Sequence, residues 1–183
     1  MERAIASSPL LSGCREIVRH VATPLEDLVI PPAYPHRPGH YSCTVAHAEV
    51  LTAAWSDDVE TLLVLEDDAD PLPALDGGFS SVVGRLPSDW LGVWLGGYHQ
   101  SDPVKLDGGL CRLTGTVATH AYLLNRGGME CCRHSIDSRP MRVVDQTYCQ
   151  MHSEVARFYA PDPFLIGTIA SYSDIDAKVA PAL

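Results

Sequence analysis

A short apolar run that ends in a cluster of acids is the feature that most constrains the fold of this chain. Residues 61–65 read Thr-Leu-Leu-Val-Leu, and four carboxylates follow within five positions: Glu66, Asp67, Asp68 and Asp70. A continuous apolar run bounded by polar residues is typical of a strand that is covered on both faces, as in a parallel sheet. The run therefore predicts a buried strand with acids at its carboxyl end.

The remainder of the chain alternates between strand-like and helix-like segments. Strands or extended segments are predicted over residues 90–95, 110–117, 120–124, 158–160 and 165–168. Helices are predicted from Ser42 as N-cap, within 77–86, over 129–135 and over about 146–157. The alternation predicts an α/β fold with a mixed, mostly parallel central sheet, and the length of 183 residues fits a single domain over 1–183.

Residues 1–41 are the least regular part of the sequence. Residues 10–21 fit a short helix or a helix–strand unit, and several prolines follow between Pro24 and Pro38. Proline fixes φ and removes a hydrogen-bond donor, so this stretch is predicted as a loop or an extended connector.

Charge and hydropathy exclude several classes of function. The net charge is −10 and the chain has two lysines, so no basic stretch is present to neutralise a nucleic-acid backbone. No apolar run approaches the roughly 20 residues of a membrane span, and the first residues lack the pattern of a signal peptide. We therefore expect a cytoplasmic protein without a transmembrane segment, and attachment to a membrane surface stays open.

The cysteines have irregular spacing and form no CxxC pair. We expect free, mostly buried thiols at Cys14, Cys43, Cys111, Cys131, Cys132 and Cys149. A zinc site is conceivable from Cys132, His134, Cys149 and His152. Because the spacings C-x-H and C-x2-H match no common zinc module, packing is the favoured interpretation.

The acidic cluster predicts a metal site. Crowded carboxylates repel one another, and a hard divalent cation such as Mn²⁺ or Mg²⁺ relieves this repulsion through oxygen ligands. Ligands of open α/β sheets bind beyond the carboxyl ends of the strands, so a cation here is placed to hold a nucleotide diphosphate. A solvated acidic turn is the alternative, but the DxD triplet at residues 68–70 favours a functional site. The spacing does not fit a calcium-binding EF-hand loop.

Several motifs in a fixed order resemble glycosyltransferase family 25, the lipopolysaccharide-type and collagen galactosyltransferases. Six segments carry the resemblance, and they lie at residues 42–47 (SCTVAH), 63–69 (LVLEDDA), 94–97 (WLGG), 115–124, 144–146 (VDQ) and 171–175 (SYSDI). Two departures stand out. Ala46 replaces the usual serine, and residues 1–41 hold no clear equivalent of the opening strand that helps the family to hold its nucleotide.

The resemblance implies a GT-A-like (Rossmann-like) nucleotide-sugar transferase fold with residues 42–175 as the family-like core. It also implies metal-dependent transfer of a galactose-like hexose from a nucleotide diphosphate sugar, most often a UDP-sugar, to a hydroxyl of a glycan or another acceptor. The cofactor would be Mn²⁺ or Mg²⁺. Asp68 is the first metal candidate, followed by Glu66, Asp67 and Asp70.

Transfer to a hydroxyl needs a base, and Asp145 is the candidate for an inverting mechanism, with a helix N-cap as its alternative role. His47, Gly96, Gly97, His99 and Asp174 are candidates for donor or acceptor binding. His47 equally fits a structural hydrogen-bonding role, His99 a surface position, and Asp174 either a supporting carboxylate or a turn.

Two other functions remain open. A metal-dependent nucleotidyltransferase would use the same acids, although no glycine-rich loop with a lysine is present to cradle a triphosphate. A non-catalytic or differently specialised metal- or nucleotide-binding protein would keep the fold, and the short N-terminal part favours this alternative.

Overall fold

A computed structural model describes residues 14–73 and 78–169, together with the backbone of two further strands. The helices are a 3-10 turn at Leu25–Asp27, α1 Pro38–Ser56, α2 Gly78–Val83, α3 Arg126–Asp137 and α4 Val144–Glu154. The strands are β1 Thr61–Leu65, β2 Ala69–Pro71, β3 Gly92–Trp94, β4 Tyr98–His99, β5 Val104–Leu106, β6 Leu110–Arg112, β7 Thr116–Val117, β8 Ala121–Asn125, β9 Phe158–Pro161, β10 Ile166–Thr168, β11 Ser171–Ser173 and β12 Lys178–Ala180. Asp174 lies outside the described residues.

The central sheet has six strands in the order β1-β8-β3-β9-β6-β5. Only the β3–β9 pair is parallel, and the other four pairs are antiparallel. A mixed sheet in an α/β structure is thus confirmed, but the expected mostly parallel arrangement is wrong. Within the described residues, β1 forms one edge of this sheet and pairs with β8.

The sheet is covered on both faces. This explains why the apolar runs of its strands suggested a mostly parallel sheet. Trp94 and Tyr122 pack with Leu51, Tyr148 and Met151 in the core beneath α1, α3 and α4. On the opposite face, alternate strand residues form a second core made of Val93, Leu95, Ala121, Leu123, Leu165 and Ile166. A strand covered on both faces is apolar throughout whatever the direction of its neighbours, so the runs carried no information on strand direction.

Helix α1 begins four residues before the predicted N-cap Ser42. Arg37 is the N-cap and Pro38 occupies the first helical position. Proline suits this position because its fixed φ is helical and its missing N–H would have no partner inside the helix. The last proline of the irregular segment therefore starts the helix.

The inward face of α1 carries polar as well as apolar residues. Its buried residues are Thr44, His47, Leu51 and Ala54. The Thr44 hydroxyl donates to the carbonyl of His40 at 2.9 Å and accepts the backbone N–H of Val144 at 3.1 Å. This contact fixes the first turn of α4 against α1.

His152 is a buried histidine on α4 with a single weak polar contact. Its ring stacks edge-on against Trp94, with 4.3 Å between ring centroids, and its Nδ1 accepts the backbone N–H of Thr116 at 3.4 Å. Nε2 has no hydrogen-bond partner. Burial lowers the pKa of His152 to about 3, so the folded protein holds this ring neutral.

Acid is therefore expected to destabilise the fold through His152. Below pH 6.5, the ordinary pKa of histidine, His152 binds a proton in the unfolded chain but stays neutral in the folded chain. The free energy of unfolding therefore falls as the pH drops from 6.5 towards 3. Between pH 6.5 and 4.5 the loss from this residue is about 2–3 kcal/mol. Urea unfolding at both pH values should show a correspondingly smaller acid loss in His152→Gln. The exposed His134→Gln variant is the control, and an equal acid loss in all three proteins would contradict the assignment.

The structure also bears on two further expectations, that the cysteines are free, buried thiols and that no segment spans a membrane. Cys43, Cys111, Cys131, Cys132 and Cys149 are free thiols, as predicted, but only Cys111 and Cys132 are fully buried. Among the helices that the structure describes, none combines the length and apolarity needed to span a bilayer.

Candidate functional site

The acid that directly follows β1 is the centre of a polar cluster. The Glu66 backbone N–H donates to the carbonyl of His120 at 2.9 Å, which anchors the residue beside β8. Its side-chain Oε1 accepts the Thr119 hydroxyl at 2.6 Å and lies 3.2 Å from Nε2 of His47. Three parts of the chain, α1, the end of β1 and the β7–β8 connection, thus converge on one carboxylate.

His47 is a buried partner of this carboxylate rather than a surface residue. Its Nδ1 lies 2.7 Å from the hydroxyl of Tyr122, and its ring is almost fully enclosed. Burial by itself lowers the pKa of His47, but the surrounding Tyr122, Cys43 and Glu66 outweigh it and raise the pKa well above its ordinary value. Burial likewise acts to raise the pKa of Glu66, and the hydrogen bonds from His47 and Thr119 reverse this and lower it. The two residues therefore form a partly buried histidine–carboxylate hydrogen bond.

Asp68 is half-buried two residues further on. Its Oδ1 is enclosed and has no hydrogen-bond partner. Burial, and then the negative charges of Glu66 and Asp67, raise the pKa of Asp68. An enclosed carboxylate oxygen without a donor is costly unless a proton or a cation satisfies it.

Asp145 reaches the same cluster from the first turn of α4. Val143 is the N-cap of that helix, so the alternative N-cap role of Asp145 is wrong. Burial, and then the charge of Glu66, raise the pKa of Asp145, while the nearby Thr119 hydroxyl and Ala118 N–H act in the opposite direction. Its Oδ1 is enclosed without a hydrogen-bond partner, as in Asp68.

The backbone around the cluster is tightly constrained. Ala118 has a φ of 74°, a left-handed conformation that costs a residue with a Cβ about 1–3 kcal/mol and is concentrated at functional sites. At Gly96, a Cβ would lie 2.1 Å from Nε2 of His120 and 2.3 Å from the carbonyl oxygen of Ile166. Gly96 is therefore required for close packing beside the cluster, and the buried His120 ring covers it.

The remaining predicted site residues lie outside the cluster. Asp67 and Asp70 are exposed, and Asp70 pairs with Gly167 in the β2–β10 ribbon. His99 is half-buried, its Nδ1 lies 2.8 Å from the Thr116 hydroxyl, and its ring faces Phe164. At Gly97, a Cβ would meet Thr116 and Val117 at 2.8 Å. The structure thus brings together Glu66, Asp68, Asp145 and His47 from the predicted set.

Sequence reasoning missed four residues of the cluster. Thr119, His120 and Tyr122 lie within the family-like segment 115–124 but were not singled out as site residues, and Cys43 was expected to be a packed thiol. Their roles depend on contacts across 53 positions for Thr119 and 75 for Tyr122. The one available signal was the i, i+4 spacing of Cys43 and His47 on a helix, which places both on one face.

The carboxylates of Glu66, Asp68 and Asp145 are near one another, but they do not form a group of three ligands within 4.8 Å. Asp68 and Asp145 each present an enclosed oxygen without a donor, and both lie near enough to Glu66 for its charge to raise their pKa values. Oxygen ligands of this kind suit Mg²⁺ and Mn²⁺. Asp68, Glu66, Asp67 and Asp70 all remain predicted ligands of such an ion.

A cleft of about 800 Å³ lies along β7 and α4, and none of the cluster residues described above lines it. It is lined by Val117 and Gln146, the chain neighbours of Ala118 and Asp145, and by further polar side chains from Gln100, Thr114, Cys149 and Gln150. The lining mixes hydroxyl and amide side chains with Pro35, Val117 and Met141, Arg142 adds a positive charge, and the lining contains no carboxylate.

The chain matches no family model and no curated protein. What it does chemically is therefore inferred from the residues that meet at the end of β1 and from the motifs that surround them.

Proposed function

We propose that this chain is a metal-dependent glycosyltransferase that moves a hexose from a nucleotide diphosphate sugar, most simply a UDP-sugar, to a hydroxyl acceptor. The observation that carries the proposal is that Glu66, Asp68 and Asp145, which are up to 79 positions apart in the sequence, lie in one polar cluster at the end of β1. The family-like motifs and their order support the same activity.

Asp68 and Glu66 would hold a Mn²⁺ or Mg²⁺ ion. When bound, the cation supplies neutralising charge for the diphosphate that departs with the nucleotide. The Asp68 Oδ1, which otherwise lacks a partner, would gain a ligand contact. The role of His47 is to hold Glu66 ionised and oriented through its charged hydrogen bond.

Asp145 would be the general base of an inverting displacement. Its raised pKa moves it from a weak base towards the operating pH, which strengthens proton transfer from an acceptor hydroxyl. Its chain neighbour Gln146 lines the cleft, and we propose that an acceptor hydroxyl approaches Asp145 from that side. The hydroxyl and amide lining of the cleft is suited to a glycan.

Binding of metal and nucleotide is the first test of the proposal. Mn²⁺ and UDP together are expected to raise the melting temperature, since a ligand that binds only the folded state stabilises it by about 2.7 kcal/mol at one hundred times its Kd. The shift should disappear in Asp68→Ala and persist in the matched control Asp57→Ala, an exposed acid outside the cluster. Equal melting temperatures with and without both ligands in the wild-type protein would overturn the proposal.

One observation favours a second candidate, a non-catalytic metal- or nucleotide-binding protein. Within the described residues before α1, the regular structure is one 3-10 turn, and β1 stands at the sheet edge. An additional strand that holds the nucleotide is thus missing from residues 14–37. Metal-dependent UDP binding without turnover of any UDP-sugar in a panel of donors would select this candidate.

A further inference from the structure

We propose that Cys43, His47 and Glu66 form a binding site for a thiophilic divalent cation, with Zn²⁺ as the representative ion. The ligand atoms of these three side chains all lie within 4.8 Å of one another. Among the described residues, no other group of three or more such side chains meets this distance. The proposal does not depend on the transferase activity, because it concerns binding of the ion alone.

The geometry is close to that of a tetrahedral zinc site. Bonds of about 2.0–2.3 Å to nitrogen, oxygen and sulfur place neighbouring ligand atoms roughly 3.3–3.8 Å apart. Nε2 of His47 and Oε1 of Glu66 already lie 3.2 Å apart. Side-chain movements of about 1 Å would bring the remaining atoms into range, and water would complete the set of four.

The imidazole of His47 is held as metal-bound histidines usually are. Its Nδ1 is engaged by the Tyr122 hydroxyl at 2.7 Å, which leaves Nε2 on the side of Glu66. Histidine ligands commonly hydrogen-bond through the nitrogen that does not touch the metal, which fixes the ring orientation. The buried ring therefore needs little reordering to become a ligand.

The donor set distinguishes this site from the carboxylate pair that holds a hard cation. Sulfur and imidazole donors select zinc and other soft or borderline ions, whereas Mg²⁺ and Mn²⁺ favour oxygen. Cys43 is half-buried one helical turn before His47, and Glu66 retains about a third of its side-chain exposure. An ion can therefore reach the site from the side of these two residues.

Glu66 would belong to both sites, so the two ions exclude one another. Zinc at Cys43, His47 and Glu66 breaks the contact between His47 and Glu66 that the transferase proposal relies on. Under the proposed function, Zn²⁺ is thus expected to oppose Mn²⁺-dependent binding of UDP. Zinc would act as an inhibitor of the activity rather than as its cofactor.

A titration of the protein with Zn²⁺ in the absence of nucleotide tests the inference. We expect the full chain, titrated with Zn²⁺ against a colorimetric chelator in mildly alkaline buffer, to bind one equivalent. Cys43→Ser should weaken that binding by at least about 10-fold, since the thiolate is lost as a ligand. Cys131→Ser, which removes another half-buried thiol that lies outside this group of ligands, should bind as the wild type does.

Cobalt substitution provides a second readout that needs no comparison of affinities. Co²⁺ bound to the wild-type protein should show a thiolate-to-metal charge-transfer band, and this band should vanish in a folded Cys43→Ser protein. Retained zinc affinity in Cys43→Ser, an equal loss in Cys131→Ser, or a cobalt spectrum without the thiolate band would each overturn the inference. Because UDP is absent throughout, these outcomes are independent of those for the proposed function.

Discussion

Replacing Gly128 with alanine is expected to lower the free energy of unfolding by about 3 kcal/mol or more, at the upper end of overpacking effects. A Cβ at Gly128 would lie 2.0 Å from the carbonyl oxygen of Leu91 and 2.8 Å from its carbonyl carbon. These are backbone atoms, and they cannot rotate away. The Leu91 backbone is also held on both sides, because its N–H donates to Arg157 and its carbonyl accepts from Asn125. The new methyl group must therefore displace the start of α3 from the sheet.

The neighbouring glycine provides a matched control for this prediction. A Cβ at Gly127 would lie 3.0 Å from Cδ2 of Leu91, which is the movable end of a side chain. Alanine is also favoured over glycine within a helix by about 1 kcal/mol, so Gly127→Ala should stay within about 1 kcal/mol of the wild type. Urea unfolding of the two variants measures the difference, and equal stabilities would contradict the close-approach argument.

Replacing Asp145 with asparagine is expected to reduce turnover of a UDP-sugar by about 10²- to 10⁴-fold while leaving metal and UDP binding in place. The substitution keeps the shape of the side chain and removes its ability to accept a proton. Metal and nucleotide are assigned to Asp68 and Glu66, so their affinity should change little. Slow Mn²⁺-dependent hydrolysis of the donor, followed through release of UDP, measures turnover without a known acceptor.

The comparison of two aspartates makes this prediction specific. Asp68→Asn should lose both binding and turnover, whereas Asp145→Asn should lose turnover alone. Asp57→Asn, on the exposed end of α1, should lose neither. A wild-type turnover in Asp145→Asn would show that another group accepts the proton, and a loss of UDP binding in that variant would mean that Asp145 holds the ligand.

Local sequence patterns identified the main helices and most core strands, but they missed β2, β4 and β5, and the helix or helix–strand unit expected within residues 10–21 is absent over 14–21. The apolar run of β1, the apolar segments of β3 and β8, and the positions of α3 and α4 were all recognisable, since burial of an element leaves an apolar pattern within a few residues. The acid cluster after β1 was recognisable for the same reason. Charges adjacent in sequence are adjacent in space, so Glu66 and Asp68 required no knowledge of the fold.

The direction of the strands was not recoverable from these patterns. Each central strand alternates between two cores, with Val93 on one face and Trp94 on the other, and this makes antiparallel strands as apolar as parallel ones. Strand direction follows from which elements pair, and β3 pairs in parallel only with β9, about 65 residues later in the chain.

The sequence by itself identified a set of candidate site residues, among them His47, Glu66, Asp68 and Asp145. Tertiary structure alone decided which of them meet, because the contacts that gather them are long-range. The Thr44 hydroxyl fixes the start of α4 from 100 positions away, and this brings Asp145 to Glu66. The same packing places Cys43 and Tyr122 around His47, where burial and neighbouring charge, rather than residue type, set its protonation and its capacity to bind a cation.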